Sequence, residues 1–431
     1  MAILPIITLL LLFGILTGAN LFALGASTFL VVIQLARYFS SRWIEAVSVV
    51  RNIESTEIQI GSVIAVGLQM KNDTAYSIPW LLIEDQVAAR DTKQPPFALR
   101  ILTPPARLQW FPARKPSLFI YSVQALRRGY YQLGPTLLET GDLLGLHRSF
   151  RIANQPEYIT VLPKLFVMEG VQIGSRRPMG EMKSEDRVLE DPTLMAGLRR
   201  YEAGDPMNRV HWKATARTGV LHTRVFEPTC IQGAMMIVDM HESTNPSKNE
   251  PVRTDLAVTA AASIGHWLFM QGEPFGLISN GRDAAERVRE LNKRLQYSDR
   301  REATEGIEMR ARSDRLRPIV MGANRTPEHF AELHRTLARL ERTDGLKLHE
   351  LIGETSSRIP KLLSLIVIGQ KFETEGVMSL AMLRRRGFQI TVVLNCPSED
   401  YLDAAGPMIA ERIAVISLEN EESLKRVLEH C

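Results

Sequence analysis

"AMMIVDM", Ala234–Met240, decides the fold of the C-terminal half of the chain. It opens with five consecutive apolar residues, and a strand with no polar alternation has no face suited to water. Such strands belong to parallel sheets covered by helices on both sides. The following sequence supplies those covers. Asp255 to Met270 reads as a helix, "PFGLISN" as a strand and "PEHFAELHRTLARL" as an amphipathic helix. "LLSLIVIG", Leu362–Gly369, and "FQITVVLN", Phe388–Asn395, are the strongest later strands. Between them lies the helix "EGVMSLAMLRRRG", which Gly387 terminates. Strands alternating with helices predict a doubly wound α/β domain with right-handed crossovers over residues 231–431. Gly281 to Pro318 interrupts this rhythm, and its acids nearly balance its arginines. It therefore reads as a solvated helix or insertion and not as a nucleic-acid contact.

Immediately upstream stands "YEAGDPMNRVHWKATARTG", Tyr201–Gly219. Asp205 before Pro206 suits an N-cap followed by proline at the first helical position, and Gly219 is placed to end the segment. A short helix is predicted between them. At helical spacing Arg209, Lys213 and Arg217 form one cationic stripe, Val210 and Ala214 an apolar one, and Trp212 lies towards the other side. That arrangement fits a docking surface for acidic side chains or a site for a phosphate-bearing ligand. The alternative is that the cations pair with local acids such as Glu202 while Trp212 packs into a domain junction. His211 reads as structural, because acid/base catalysis needs a second reacting group and the sequence offers none. Residues 166–230 as a whole read as a connector, since Glu169–Glu190 is charged, glycine-bearing and without apolar period.

From Trp43 to Pro163 the pattern changes to short strands. Ile58 and Ile60 alternate with polar neighbours, Val66, Leu68 and Met70 alternate before the turn signal Asn72-Asp73, and "WLLIEDQV", "SLFIYSVQAL", "GYYQLGPTLLET" and "EYITVLP" follow. Proline pairs and Gly134-Pro135 divide them. An antiparallel β-sandwich over residues 43–165 is predicted.

The first forty residues differ in kind. Ile3–Thr17 and Leu21–Ala36 are almost wholly apolar and are separated by Gly18-Ala19-Asn20, which predicts a hairpin of two membrane helices over residues 1–40. A single long tilted anchor is the other membrane reading. A cleaved signal peptide lacks its basic n-region here. Arg37, Arg42 and Arg51 follow the apolar stretch, so the positive-inside rule places the soluble bulk in the cytoplasm, at the cytoplasmic membrane. Cys230, Cys396 and Cys431 are widely spaced and fit a reducing compartment. A net charge of +4 over 431 residues argues against a nucleic-acid partner. The chain has no phosphate loop, nucleophile elbow, H-E-x-x-H or G-x-G-x-x-G motif after its first α/β strand, which removes the ordinary grounds for an enzyme or a cofactor.

The run "LRRYEAGDPMNRVHWKATARTGVLHTRVFEP", Leu198–Pro228, closely resembles the signature of the bacterial family called domain of unknown function 58. "RRGYYQLGPTLLETGDLLGLHRSF", Arg127–Phe150, is similar to that family's second hallmark. The resemblance implies the same layout: membrane segments, a β-rich region, the signature, and an α/β end like a von Willebrand factor type A domain. Arg199, Tyr201, Gly204, Asp205, Arg209, His211, Trp212, Lys213 and Arg217 are accordingly assigned as signature or partner-binding residues. It also implies a MoxR-type AAA+ ATPase and other envelope-associated proteins as partners beside the lipid bilayer. Type A domains often hold a divalent cation through a D-x-S-x-S loop. Here "DMHES" keeps Asp239 and Ser243, but His241 replaces the first hydroxyl, and Gly369 and Gln370 stand where a later aspartate is expected. No metal or other cofactor is assigned. The expectation is a membrane-anchored, non-enzymatic scaffold or adaptor, with a metal- or ligand-dependent domain at the strand ends as the alternative.

Overall fold

The computed structural model describes residues 20–87, 97–142, 147–166, 190–202, 207–228, 233–286, 316–360 and 363–425, with a few positions before residue 20. Asn20–Glu45 forms one helix, α1. Within it Ala23–Glu45 is long and apolar enough to cross a membrane, about 35 Å at 1.5 Å per residue. The expected second arm, Leu21–Ala36, lies within this helix, which continues through Arg37 and Arg42 into the next domain. Of the first arm, Ile3–Thr17, the described positions Thr8, Leu12, Phe13, Ile15 and Leu16 are helical, and the rest lies outside the described residues.

The β-rich region starts at Val47, later than expected, because Trp43 and Ile44 are helical. Its strands are β1 (Val47–Ile53), β2 (Glu57–Gln59), β3 (Val63–Asn72), β4 (Ile78–Val87), β5 (Leu99–Ile101), β6 (Ala106–Phe111), β7 (Pro116–Ala125), β8 (Gly129–Gly141), β9 (Arg148–Asn154) and β10 (Glu157–Leu162). They form one sheet in the order β1-β3-β7-β5 and a second in the order β2-β10-β8-β4-β6, with β9 also on β8. The alternation seen in the sequence points Val66, Leu68 and Met70 inward. There they meet Ile83, Tyr121, Leu133 and Leu138 in one core, which Ile44 of α1 joins. The sandwich is not purely antiparallel, since β2 pairs β10 in parallel.

Arg51 belongs to this core and not to a membrane flank. Its guanidinium is fully buried against Asp85, with Nε 3.0 Å from Oδ2 and Nη2 on Oδ1. Thr136 Oγ1 and Tyr121 Oη also donate to Asp85, at 2.9 and 2.7 Å. Burial alone would lower the arginine pKa, but the hydrogen bond and charge of Asp85 raise it; burial and that same charge hold the Tyr121 hydroxyl protonated.

The region expected to be a connector with one short helix contains a two-stranded ribbon, β11 (Glu190–Arg200) with β12 (His222–Pro228), and the helix α2 (Trp212–Thr218) lies between them. Beyond it Ala234–Val238 is β13, buried at every position as its composition requires. The remaining elements are α3 (Val252–Gln271), β14 (Phe275–Ser279), β15 (Arg282–Asp283), β16 (Ile319–Asn324), α4 (Pro327–Arg339), β17 (Leu340–Glu341), α5 (Leu348–Thr355), β18 (Ser364–Gly369), α6 (Thr374–Arg385), β19 (Ile390–Leu394), α7 (Tyr401–Ala410) and β20 (Ala414–Ser417). The sheet runs β16-β14-β13-β18-β19-β20, parallel except for β16. Met236 and Val238 face α3 and α4 on one side, while Met235 and Ile237 face α5, α6 and α7 on the other. The segment from Gly281 is not wholly an insertion: β15 pairs β17, and Ala284 and Ala285 are buried. Residues 287–315 lie outside the described residues.

The β-rich and α/β parts are fastened together by the "RRG" run. Arg127 Nε donates to Asp255 Oδ2 of α3 at 2.8 Å, and Arg128 Nε lies 3.0 Å from Oδ1. Arg128 Nη1 also donates to the carbonyls of Leu337, Ala338 and Leu340 at 3.1, 3.3 and 2.9 Å. They lie at the end of α4, where a cation suits both hydrogen bonding and charge, although Leu337 O also accepts from Leu340 N. Nearby, His334 Nε2 donates to the Pro163 carbonyl at 2.9 Å, and burial lowers the pKa of this imidazole.

Candidate functional site

The signature residues fall on the ribbon and its tip. Arg199 and Arg200 end β11 opposite Thr223 and His222, and Tyr201 N donates to Leu221 O at 2.9 Å. Arg199 pairs with the exposed Glu202 at 3.5 Å, a contact worth less than about 1 kcal/mol. Gly204 and Asp205 lie outside the described residues, so the proposed Asp205 cap does too. Its predicted helix starts late. Met207–Arg209 is a 3-10 turn, Val210 bridges to Thr223, and α2 begins only at Trp212. His211 is the N-cap: its Nδ1 accepts from Ala214 N at 3.0 Å. Gly219 ends the helix in the left-handed region, φ 73°, with its N–H on Thr215 O, as placed from sequence.

The late start breaks the predicted stripe. Arg209 sits in the turn, so only Lys213 and Arg217 share the helix face at i, i+4. Val210 is buried, but no residue of α2 is. Trp212 is 60% exposed, which corrects the alternative in which it packs into a domain junction. Thr215 Oγ1 accepts from His222 N at 3.1 Å and His211 N donates to His222 O at 2.8 Å, so α2 is tied to the ribbon by its ends and inner edge. An indole and two cations are thereby held outward on a short, capped scaffold.

A second cluster forms where β13 and β18 separate, the position at which open α/β sheets place ligands. Asp239 is buried, and both of its carboxylate oxygens accept from the protein. Oδ1 takes His241 N at 3.1 Å and Asn280 Nδ2 at 2.8 Å, and Oδ2 takes Thr244 Oγ1 at 2.8 Å. Burial raises its pKa against the opposing pull of those donors. His241 Nδ1 accepts from Ser243 N at 3.1 Å and lies 2.8 Å from Ser243 Oγ, which places the proton of the neutral ring on Nε2. Lys347 Nζ lies 2.9 Å from Glu373 Oε2; this hydrogen bond, followed by one from Ser243, lowers the Glu373 pKa. His241, Ser243, Thr244, Lys347, His349 and Glu373 line a small, open depression. Sequence reading missed Thr244, Asn280, Lys347 and Glu373. Only Asn280, closing the strand "PFGLISN", carried a local cue as a polar residue at a strand end.

This set does not fit the divalent cation of a type A loop. Asp239 spends its oxygens on internal donors, His241 replaces an oxygen ligand, Gly369 and Gln370 supply no carboxylate, and the remaining acid is bonded to an ammonium. Magnesium or manganese at millimolar concentration is accordingly expected to leave the melting temperature unchanged. A rise of several degrees in calorimetry would contradict the assignment, because a ligand that binds only the folded state stabilises it.

The architecture is therefore an apolar N-terminal helix, a β-rich domain, a signature ribbon and a mostly parallel α/β domain. Within it, residues 197–293 match the family model described as "Protein of unknown function DUF58", a range that includes the ribbon tip, α2 and the first strand, helix and strand of the α/β domain. The "RRG" hallmark lies outside the match. The chain is 22% identical over 240 residues to "Uncharacterized protein YeaD" of Bacillus subtilis (strain 168), covering 54% of this chain and 56% of that protein. Among solved structures, alpha-2-macroglobulin from Escherichia coli matches 27% of this chain and 16% of its own, with 14% identity and a TM-score of 0.22. The CARDB domain of PF1109 from Pyrococcus furiosus matches 27% of this chain and 91% of its own, with 8% identity and a TM-score of 0.20. These structural likenesses are too low to carry any argument.

Proposed function

We propose that the protein is a membrane-anchored, non-enzymatic adaptor of the cytoplasmic membrane, with its soluble domains in the cytoplasm and a von Willebrand factor type A-like α/β end. Its docking element is the ribbon tip, and its partner is a MoxR-type AAA+ ATPase. The observation that carries this reading is the exposed Trp212 beside Lys213 and Arg217 on a helix that buries none of its residues. Aromatic side chains and arginine are enriched where proteins bind one another, and a rigid support lowers the entropy lost on binding.

Anchoring is supported by α1, whose apolar stretch is mostly exposed, Ile33 excepted, while its end is built into the β-rich core through Ile44. A leader destined for removal has no need to contribute to the core of the mature domain. The full chain, purified in detergent from native membranes, is expected to carry an AAA+ ATPase with it. Lys213→Glu with Arg217→Glu is expected to weaken that association by at least about tenfold, since a like charge facing an acidic partner costs more than 1.4 kcal/mol. Retention of every partner by a folded double variant would remove the ribbon from the interface.

A further inference from the structure

The β-rich domain has one end that α1 leaves by, and the ladder registers identify it. Ser40 Oγ of α1 lies 3.5 Å from Ser149 Oγ. Ser149 pairs with Thr140, Thr140 with Leu81, and Leu81 with Gln109, so these residues share one level across the sheet. Glu45 O lies lower, accepting from Arg151 Nη1 at 3.3 Å, two residues further along β9. Running N-terminally, α1 thus rises toward the end that holds the turns of residues 73–77 and 112–115. These turns lie together: Asn72 Nδ2 donates to Tyr76 O and Pro112 O at 3.0 and 3.2 Å. Arg37, three residues beyond Ser40, stands about 4.5 Å higher, and the exposed apolar residues of α1 continue past it. A bilayer crossed by α1 therefore begins at the height of these turns.

The side chains at this level suit a headgroup layer. Tyr38, Tyr76 and Trp110 are 55%, 68% and 62% exposed. Arg37, Arg42, Arg114 and Lys115 are exposed and form no ion pair with another described residue; Arg42 lies 5.5 Å over the Tyr38 ring. The acids nearby are already engaged, Asp73 with Lys71 at 2.6 Å and Glu139 with Arg148 at 3.3 Å, and Asp142 accepts from His147 N at 2.7 Å. Amphipathic rings settle at the membrane–water boundary, and unpaired cations beside them meet lipid phosphates.

We infer that this end of the β-rich domain is a second membrane contact, which seats the domain on anionic phospholipid headgroups through Tyr76, Trp110, Arg114 and Lys115. It rests on the reading of α1 as a membrane anchor. Seating fixes the height and tilt of the domain, where an anchor alone leaves the domain free to swing.

The test uses the full chain reconstituted into vesicles containing brominated phosphatidylcholine, with and without about one third phosphatidylglycerol. The Trp110 emission is obtained by subtracting the Trp110→Phe spectrum. Quenching of that component is expected in the anionic vesicles. The seated-to-free ratio should fall by about fivefold for each cation removed in Arg114→Gln and Lys115→Gln, and should also fall as salt is raised. An unquenched Trp110 component in anionic vesicles, in a chain that resists alkaline carbonate extraction, overturns the seating while leaving the anchor intact. Release of the chain by carbonate overturns the anchor and the seating together.

Discussion

Asp85→Ala is expected to destabilise the β-rich domain by about 3–5 kcal/mol, the cost of leaving a buried charge without its partner. Asp85 is the common acceptor for Arg51, Thr136 and Tyr121, three donors from three other strands. Its loss strands a guanidinium that is fully buried, and the Gln155 carbonyl at 3.0 Å and Glu157 at 3.4 Å replace only part of the charge. The measurement is thermal unfolding of the detergent-solubilised full chain, followed through the transition of the β-rich domain. The companion Arg51→Met with Asp85→Leu removes both charges and is expected to recover most of the loss, since apolar replacement of a buried pair is often close to neutral. A double variant no better than the single one would show that packing, and not the charge, sets the penalty.

Arg128→Ala carries the second large effect, about 2–5 kcal/mol at the junction of the two domains. The side chain is buried and serves the carboxylate of α3 and three carbonyls at the end of α4. Removing it takes a donor from all three carbonyls, of which Leu337 O keeps Leu340 N, and halves the clamp on Asp255. Proteolysis between the domains should accelerate accordingly, while each domain keeps its own core. The exposed junction pairs provide the control: Arg335→Ala, which loses a 2.7 Å contact to Glu57, and Lys164→Ala, which loses one of 3.2 Å to Glu421, are expected to cost less than about 1 kcal/mol. Equal effects at all three positions would rule out the buried clamp.

These sites show what a sequence can and cannot reveal. β13 was readable because continuous burial on two faces forces a continuous apolar run, and α3, α4 and α6 because they supply the covering faces. The Gly219 stop was readable because only a local backbone preference is involved. Arg51 was misread because its partner is 34 residues away on another sheet, and nothing next to it distinguishes a core arginine from a membrane-flanking one. The ribbon was missed because β11 pairs with β12 across the whole signature and two register shifts interrupt its alternation. The Asp239 cluster draws on Asn280, Lys347 and Glu373, which only the sheet order brings together. Its aspartate and serine match a motif, and its surroundings do not.

Placing a photo-crosslinking residue at position 212 of the full chain, in its native host, tests most directly the claim that the ribbon tip is a docking element. Trp212→benzoylphenylalanine retains an aromatic side chain at a position 60% exposed, so the fold should be unaffected. The predicted result is a discrete adduct between this chain and an AAA+ ATPase, lost when Lys213 and Arg217 are both changed to Glu. Adducts confined to the chain's own residues would contradict it, because the signature helix would then face its own protein and not a partner.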